Sequence, residues 1–139
     1  MKRSIAIAVA WRLYGTPYMW GGDDPIEGFD CSGAIIEILR SVGVLPHGGD
    51  WTAQGLYSTF KSAATTQPRA GCLSFYGANA GEITHVMFHL SDEIVLGATG
   101  GGSKTKTRQD AIDQNAFIKI RPLDYRDDLA TIVDPFLGK

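Results

Sequence analysis

A cysteine stands at the start of an apolar run and is a candidate nucleophile. Cys31 lies in Phe29-Asp30-Cys31-Ser32-Gly33, and residues 34–43 have the length and composition of a helix that Gly43 would end. At a helix N-terminus, unpaired backbone N–H groups and the macrodipole stabilise a thiolate and can receive the oxyanion of an acyl-transfer intermediate. Most free cysteines are small buried apolar side chains, so Cys31 on its own also fits a packing role.

A candidate base lies on the predicted strand Thr84 to Leu90. Side chains alternate along a strand, so His85, Met87 and His89 share one face, and one of the two histidines can lie beside the cysteine. An imidazole there takes the thiol proton and gives a thiolate–imidazolium pair. The two histidines do not predict a zinc site, because four strand residues span ~13 Å and no cysteine or acidic cluster completes a ligand set.

The pattern of the sequence predicts helices in the first half of the chain and strands in the second half, and these elements must position the cysteine and the histidine. Helices are predicted over residues 4–14, 31–42 and 51–60, the third opening at Thr52. Strands are predicted over residues 73–76, 84–90, 94–98 and 116–121. The glycine-rich and basic segment 100–114 is predicted to be a mobile loop. This order indicates a single α+β domain over residues 1–139, with a meander of antiparallel strands.

Composition agrees with one globular domain. The chain has 139 residues, of which 44% are hydrophobic and 20% charged, and its formal net charge is −2. That charge gives no drive toward nucleic acid, and no run approaches the ~18 apolar residues of a membrane span. A disulfide between Cys31 and the second cysteine, Cys72, is not expected, because it would consume the thiolate. Cys72 lies in a predicted strand and is expected to be a core or near-core residue, as most free cysteines are.

The first ten residues imitate a secretory signal peptide, with basic residues before an apolar stretch. The stretch from Ile5 to Ala10 is shorter than an h-region of ~7–15 residues, and it continues through Tyr14 as a helix ending at Gly15. We therefore expect the first helix of the domain here rather than a signal. Localisation stays open: action inside the cell, export by another route, or delivery by a larger phage or secretion assembly.

The cysteine motif and its neighbours closely resemble the NlpC/P60 family of papain-like cysteine peptidases. The resemblance covers about residues 4–100 and keeps the family's order and spacing. It is carried by Gly15-Thr16-Pro17-Tyr18-Met19-Trp20-Gly21-Gly22, the Cys31 motif, Leu45-Pro46, Trp51-Thr52-Ala53-Gln54, residues 70–76 and residues 84–90. It implies a fold of N-terminal helices packed on an antiparallel sheet. It also implies hydrolysis of peptidoglycan stem peptides or their muropeptide fragments, commonly between D-glutamate and the diamino acid, with no metal or organic cofactor.

The resemblance assigns roles residue by residue. Cys31 matches the nucleophile and His85, after Thr84, matches the base. Tyr18 matches a tyrosine that assists the oxyanion, although aromatic packing would also account for Tyr18 and Trp20.

Residues beside the nucleophile and on a cleft-side segment are assigned to the substrate. Asp30 and Ser32 flank the nucleophile and are expected to bind the substrate's amine end. Trp51 and Gln54 lie on a segment that relatives usually begin with Arg, so a bidentate carboxylate clamp is missing and the substrate can differ.

One position departs from the family pattern. Twelve residues after the catalytic histidine, relatives carry a polar side chain that orients the imidazole, and this chain has Gly97. Orientation must then come from Thr99 on the same face, from a backbone carbonyl, from water, or from nothing. The glycine therefore leaves open a catalytically weak cell-wall-binding or phage-tail module. The enzymatic alternative is an amidase or acyltransferase on the same papain-like fold.

Overall fold

The computed structural model describes residues 1–24, 28–46 and 51–138. The helices in these ranges are α1 (Lys2–Leu13), α2 (Cys31–Ser41), α3 (Ala53–Phe60), which a 3-10 helix (Lys61–Ala63) follows, and α4 (Arg108–Gln114). The strands are β1 (Asp23–Asp24), β2 (Gly28–Phe29), β3 (Leu73–Gly77), β4 (Ile83–His89), β5 (Ile94–Thr99), β6 (Phe117–Pro122) and β7 (Leu129–Val133). None of the described helices has the length and hydrophobicity needed to span a bilayer.

The sheet that carries the predicted base is antiparallel and five-stranded. Its strand order is β6-β5-β4-β3-β7, and β1 and β2 form a separate two-stranded ribbon just before α2. Because β6 and β7 occupy opposite edges, their connection, residues 123–128, has to pass the ends of the strands between them. This connection therefore lies within reach of β4.

The main core lies between the helices and one face of the sheet. The helix α2 contributes most of its buried side chains to this core, namely Ala34, Ile35, Ile36, Ile38 and Leu39. Val86 and Phe88 of β4 also belong to it, whereas Met87 packs with Tyr76 and Val95 in a smaller cluster on the opposite face. The predicted alternation along β4 is thus confirmed, and burial of these apolar surfaces is the main favourable term in folding.

The predicted elements are confirmed with small shifts of their ends, and one prediction is wrong in part. The segment 100–114, predicted to be a loop, ends in α4, which a capping box between Thr107 and Asp110 begins and a left-handed Asn115 ends. The strands β1, β2 and β7 were not predicted. The helix α1 packs into the main core through Ala6, Ala10 and Leu13, and Thr52 caps α3 as predicted, accepting a hydrogen bond from the Gly55 N–H at 3.0 Å.

Candidate active site

Cys31 is the first residue of α2, as predicted. The Asp30 carboxylate caps this helix by accepting a hydrogen bond from the Gly33 N–H at 2.7 Å. The thiol interacts with the backbone N–H groups of Cys31, Ser32 and Val86, and these interactions favour the thiolate. Since Val86 follows His85 on β4, the thiol lies against the strand that carries the predicted base.

The electrostatic balance at Cys31 is opposite to the expectation from its helix position. Burial, and after it the negative charge of Asp30, raises the pKa of the Cys31 thiol to about 11. These effects outweigh the backbone N–H groups that favour the thiolate. The resting cysteine is therefore a neutral thiol at physiological pH.

His85 is buried on β4, opposite Tyr76 of β3 in the register of the sheet. Its Nε2 lies 2.6 Å from the hydroxyl oxygen of Tyr125, within hydrogen-bond distance. Burial, and after it the positive charge of Arg126, lowers the pKa of His85 to about 4. The imidazole is thus neutral at physiological pH and able to accept a proton.

Cys31 and His85 line one cavity of about 300 Å³, whose lining also includes Tyr18, Trp20, Thr99 and Tyr125. The cavity lies where two strands part: β4 and β5 pair at Phe88↔Leu96 and His89↔Val95, while residues nearer the start of β4 and the end of β5 line the opening. The separation of the strands lets the helix terminus approach the backbone of β4.

Tyr18 is buried beside the nucleophile and forms an isolated bridge to Phe29, two residues before Cys31. Burial, followed by the nearby Cys31 and Asp30, raises the pKa of Tyr18 to about 12, so its hydroxyl stays protonated and can donate a hydrogen bond. Its ring lies so close to Gly101 that a Cβ there would be 2.5 Å from Cδ1 of the ring. The segment after β5 therefore needs a glycine to close over this tyrosine.

The residues predicted to bind substrate, Asp30, Ser32, Trp51 and Gln54, lie outside the lining of the cavity. None of the four lines the cavity among the described residues. Asp30 and Ser32 lie beside it, where the Ser32 hydroxyl donates to the Asp30 carboxylate at 3.3 Å. Trp51 packs against the main core. The amide of Gln54 donates to the Ala80 carbonyl at 2.9 Å and accepts from the Ile83 N–H at 2.7 Å, so it ties α3 to the segment that leads into β4.

The described hydrogen bonds of His85 do not reach β5, neither at Gly97, where the family's orienting side chain is missing, nor at Thr99, its predicted substitute. An ideal Cβ on Gly97 would lie 2.5 Å from Sδ of the buried Met87, so the thioether fills the space in which relatives are expected to carry a polar side chain. Thr99 lines the cavity and pairs with Phe117 through the backbone, and the described hydrogen bonds of His85 do not include Thr99.

The other histidine of β4 is structural. His89 is fully buried, its Nδ1 donates to the Ser91 carbonyl at 2.8 Å, and its Nε2 lies within hydrogen-bond distance of the Ser74 hydroxyl. Burial lowers the pKa of His89. Both cysteines are free thiols, and within residues 1–24, 28–46 and 51–138 no group of three His, Cys, Asp or Glu side chains could hold a metal ion.

Tyr125 and Arg126 are site residues that the sequence did not reveal. Both line the cavity and lie in the β6–β7 connection, and Tyr125 is 40 residues beyond His85 along the chain. Neither a repeat nor a strand period marks them. The only signal is indirect: a tyrosine in a turn of charged residues, which carries an apolar ring where turns are usually polar.

Helices packed on an antiparallel sheet, with a helix N-terminal cysteine and a strand histidine that line one cavity, are typical of the papain-like class of α+β folds. Within that class the chain belongs to the NlpC/P60 family, whose sequence profile it matches over residues 15–121.

Individual relatives match part of their length. Protein P54 of Enterococcus faecium is 37% identical over 100 residues, which are 72% of this chain and 19% of that protein. The bifunctional muramidase/DL-endopeptidase CwlT of Bacillus subtilis is 32% identical over 96 residues, which are 67% of this chain and 28% of that protein. The chain thus matches less than a third of the length of these curated relatives.

Solved structures share the whole fold. The NlpC/p60 domain of the peptidoglycan hydrolase SagA superposes with a TM-score of 0.68 at 27% identity, covering 95% of this chain and 97% of that one. RipD from Mycobacterium tuberculosis, described as a non-catalytic NlpC/p60 domain protein adapted to peptidoglycan binding, superposes with a TM-score of 0.68 at 18% identity, covering 96% of both chains. The likeness to RipD concerns the fold alone.

Proposed function

We propose that this chain is a cysteine peptidase that hydrolyses amide bonds in the stem peptides of bacterial peptidoglycan. The observation that carries the proposal is the shared cavity, into which α2 brings Cys31 and β4 brings His85, with Tyr18 beside them. A nucleophile, a base and a hydrogen-bond donor around one opening are the groups that acyl transfer requires. The relative SagA is a peptidoglycan hydrolase and the relative CwlT is a muramidase and DL-endopeptidase, which supports peptidoglycan as the substrate class.

The first step is attack on the scissile carbonyl by Sγ of Cys31. Because the thiol and the imidazole are both neutral at rest, proton transfer to His85 accompanies the attack instead of preceding it. The carbonyl oxygen becomes an oxyanion, and the Tyr18 hydroxyl together with the backbone N–H at Cys31 stabilises it.

The second step breaks the amide bond. The imidazolium of His85 gives its proton to the leaving amine, and the acyl group stays on Cys31 as a thioester. Water then attacks the thioester, with His85 taking the proton of the water and returning it to the sulfur. The products are an amine, a carboxylic acid and the free thiol, and the groups used are side chains and backbone amides of the chain.

The bond between D-glutamate and the diamino acid is the proposed target. The relative CwlT is a DL-endopeptidase, which supports this choice. The negative charge of Asp30 beside the cavity suits a free amine on the substrate, since a carboxylate attracts an ammonium group at short range. Ser32, bonded to the same carboxylate, would share this role.

The test is mass spectrometry of purified muropeptides after incubation with the wild type, Cys31→Ala and Cys72→Ala. We expect new fragments that together exceed the substrate by one water, absent with Cys31→Ala and present with Cys72→Ala, whose sulfur is buried away from the cavity. A stem peptide that is released whole would indicate an amidase instead, and transfer to an added amine would indicate an acyltransferase.

A binding module is the second candidate, and one observation favours it: the neutral Cys31 thiol and neutral His85 are less reactive than a preformed ion pair. The fold of RipD is compatible with such a role. Saturable binding of muropeptides by wild type, without any cleavage product, would support the binding module over the peptidase.

A further inference from the structure

We propose that Tyr125, on the connection between β6 and β7, positions the imidazole of His85 for reaction with Cys31, a role that relatives give to a side chain on the next strand. This inference rests on the proposed function, because positioning matters for catalysis only if His85 is the base. Its structural part, the restraint of the imidazole, can be measured without turnover.

The geometry restrains the ring at one nitrogen. The Tyr125 hydroxyl oxygen and Nε2 of His85 are 2.6 Å apart, and the two ring planes are inclined by 70°, an edge-on approach that suits a hydrogen bond rather than stacking. An imidazole has two ring nitrogens, so a partner at Nε2 leaves Nδ1 for the thiol. A half-turn of the ring about the Cβ–Cγ bond would put Cε1 in the place of Nε2 and Cδ2 in the place of Nδ1, and this hydrogen bond would be lost.

Only one tautomer of His85 can serve as the base in this orientation. Nδ1 accepts the thiol proton only if it carries none, so the neutral imidazole must hold its proton on Nε2 and donate it to the Tyr125 oxygen. The imidazolium formed during attack donates the same hydrogen bond. The hydroxyl thus performs the task for which relatives use a polar side chain at the position of Gly97.

There is no space at position 97 of β5 for the polar side chain with which relatives orient the base. Met87 fills the space beside Gly97, and it packs with Tyr76 and Val95 in the smaller cluster. The ring of Tyr125 packs against the same cluster. The loss of a side chain at position 97 and the presence of Tyr125 are therefore two parts of one packing solution.

The connection that carries Tyr125 is held at several points. The Leu123 N–H donates to the Glu93 carbonyl at 2.8 Å, and the Leu123 carbonyl accepts from the Tyr76 hydroxyl at 2.9 Å. The Gly77 N–H donates to the Asp128 carbonyl at 2.9 Å at the far end. A positioning residue is effective only if its own backbone is fixed, and these bonds attach the connection to β3 and to the start of β5.

The Tyr125 side chain is also held on both sides. The Tyr76 ring meets it edge-on at 5.7 Å, and the Arg121 guanidinium lies 5.0 Å from its ring centre. Arg126, the next residue along the chain, lines the same cavity as Tyr125 and is itself fixed by a bidentate pair with Asp128, at 2.8 Å and 2.6 Å. A chain of contacts thus runs from Asp128 through Arg126 and Tyr125 to the base.

The test compares Tyr125→Phe, which keeps the ring and removes the hydroxyl, with Tyr57→Phe as a matched control. Tyr57 packs edge-on against Phe75 in the main core, away from the cavity. With a muropeptide substrate, we expect kcat of Tyr125→Phe to fall on the order of 10²-fold while KM changes little, because the loss is one of alignment and not of substrate binding. Tyr57→Phe should keep kcat and KM.

The second measurement, of the His85 tautomer by NMR, does not require a substrate or catalytic activity. In long-range ¹H–¹⁵N spectra of ¹⁵N-histidine-labelled protein, the His85 signal, assigned by its loss in His85→Ala, should show the Nε2–H tautomer in the wild type and a tautomer mixture in Tyr125→Phe. An Nδ1–H tautomer in the wild type, or an unchanged tautomer and kcat in Tyr125→Phe, would overturn the proposal. An inactive wild type whose tautomer still depends on Tyr125 would contradict the peptidase function while supporting the restraint of His85.

Discussion

Asp30 acts on Cys31 in two opposing ways. Its side chain accepts the Gly33 N–H and so begins the helix that presents the thiol, and its charge raises the pKa of that thiol. The helix N-terminus therefore supplies geometry and hydrogen-bond donors without producing a resting thiolate. The same carboxylate is proposed to bind the substrate amine, and an ammonium group placed there would offset its charge and ease ionisation of Cys31.

The Asp30→Asn variant separates the capping of α2 from the effect of the charge on Cys31, because Asn is as good an N-cap as Asp but carries no charge. The Cys31 pKa should fall, since removing a nearby anion favours the thiolate. In a Cys72→Ala background, iodoacetamide should label Cys31 faster at about pH 8, as the gain in thiolate fraction exceeds the loss in nucleophilicity. Asp113→Asn on α4 is the control. A labelling rate unchanged or lower in Asp30→Asn, with the fold intact by circular dichroism, would contradict this account.

The pH profile of kcat/KM should report His85. Burial and Arg126 lower the pKa of His85 to about 4, so the unprotonated base predominates above that pH and is lost as pH falls through it. Activity should therefore persist at about pH 5, where an unperturbed histidine of pKa about 6.5 would be mostly protonated. A profile from about pH 3.5 to 8 measures this.

The Arg126→Gln variant tests the cause of the lowered His85 pKa in the same pH profile of kcat/KM. Removing the positive charge should raise the His85 pKa and move the acid limb of kcat/KM to higher pH, whatever happens to the maximal rate. Arg108→Gln, on the first residue of α4, should leave the limb in place. An acid limb near pH 6.5 in the wild type, or one that Arg126→Gln does not move, would mean that these groups do not control the base.

Gln54 is expected to act on the fold and not on the substrate. Gln54→Ala removes the two hydrogen bonds that hold Ala80 and Ile83, and leaves the partly buried Ile83 N–H without its acceptor, so the free energy of unfolding should fall by ~1–3 kcal/mol. Urea denaturation measures the loss, and the exposed Gln109→Ala on α4 should stay within about 0.5 kcal/mol of wild type. A stable Gln54→Ala variant with a raised KM would instead restore the substrate-binding role.

The sequence was most informative where local physics decides the outcome. The capped apolar run of α2 and the period of β4 predicted where Cys31 and His85 lie and which face each strand residue takes. Tyr125 escaped prediction because its contact with His85 depends on how a connection crosses the end of a sheet, and no local pattern encodes that path. The raised pKa of Cys31 was not foreseen for a related reason: burial is a property of the assembled fold, and its effect exceeds that of the helix terminus.

Substitutions at Gly97 test whether the space beside this residue is empty or is filled by Met87. If the space beside Gly97 were empty, a side chain there could restore an orienting group. Since Met87 fills it, Gly97→Ala should destabilise the protein by ~1–3 kcal/mol through overpacking, and Gly97→His should lose activity and not gain it. Urea denaturation and turnover on a muropeptide measure both effects.

A double-mutant cycle identifies the cause of the loss at Gly97. Met87→Ala alone should cost ~2–5 kcal/mol by leaving a cavity, and adding Gly97→Ala to it should cost less than the same change in the wild type, since the clash with the sulfur is gone. Gly102→Ala, where a Cβ would meet nothing within 4 Å, is the control for glycine replacement on this side of the domain. Additive losses at Gly97 and Met87, or a gain of activity in Gly97→His, would show that the position is open and that Tyr125 is not its substitute.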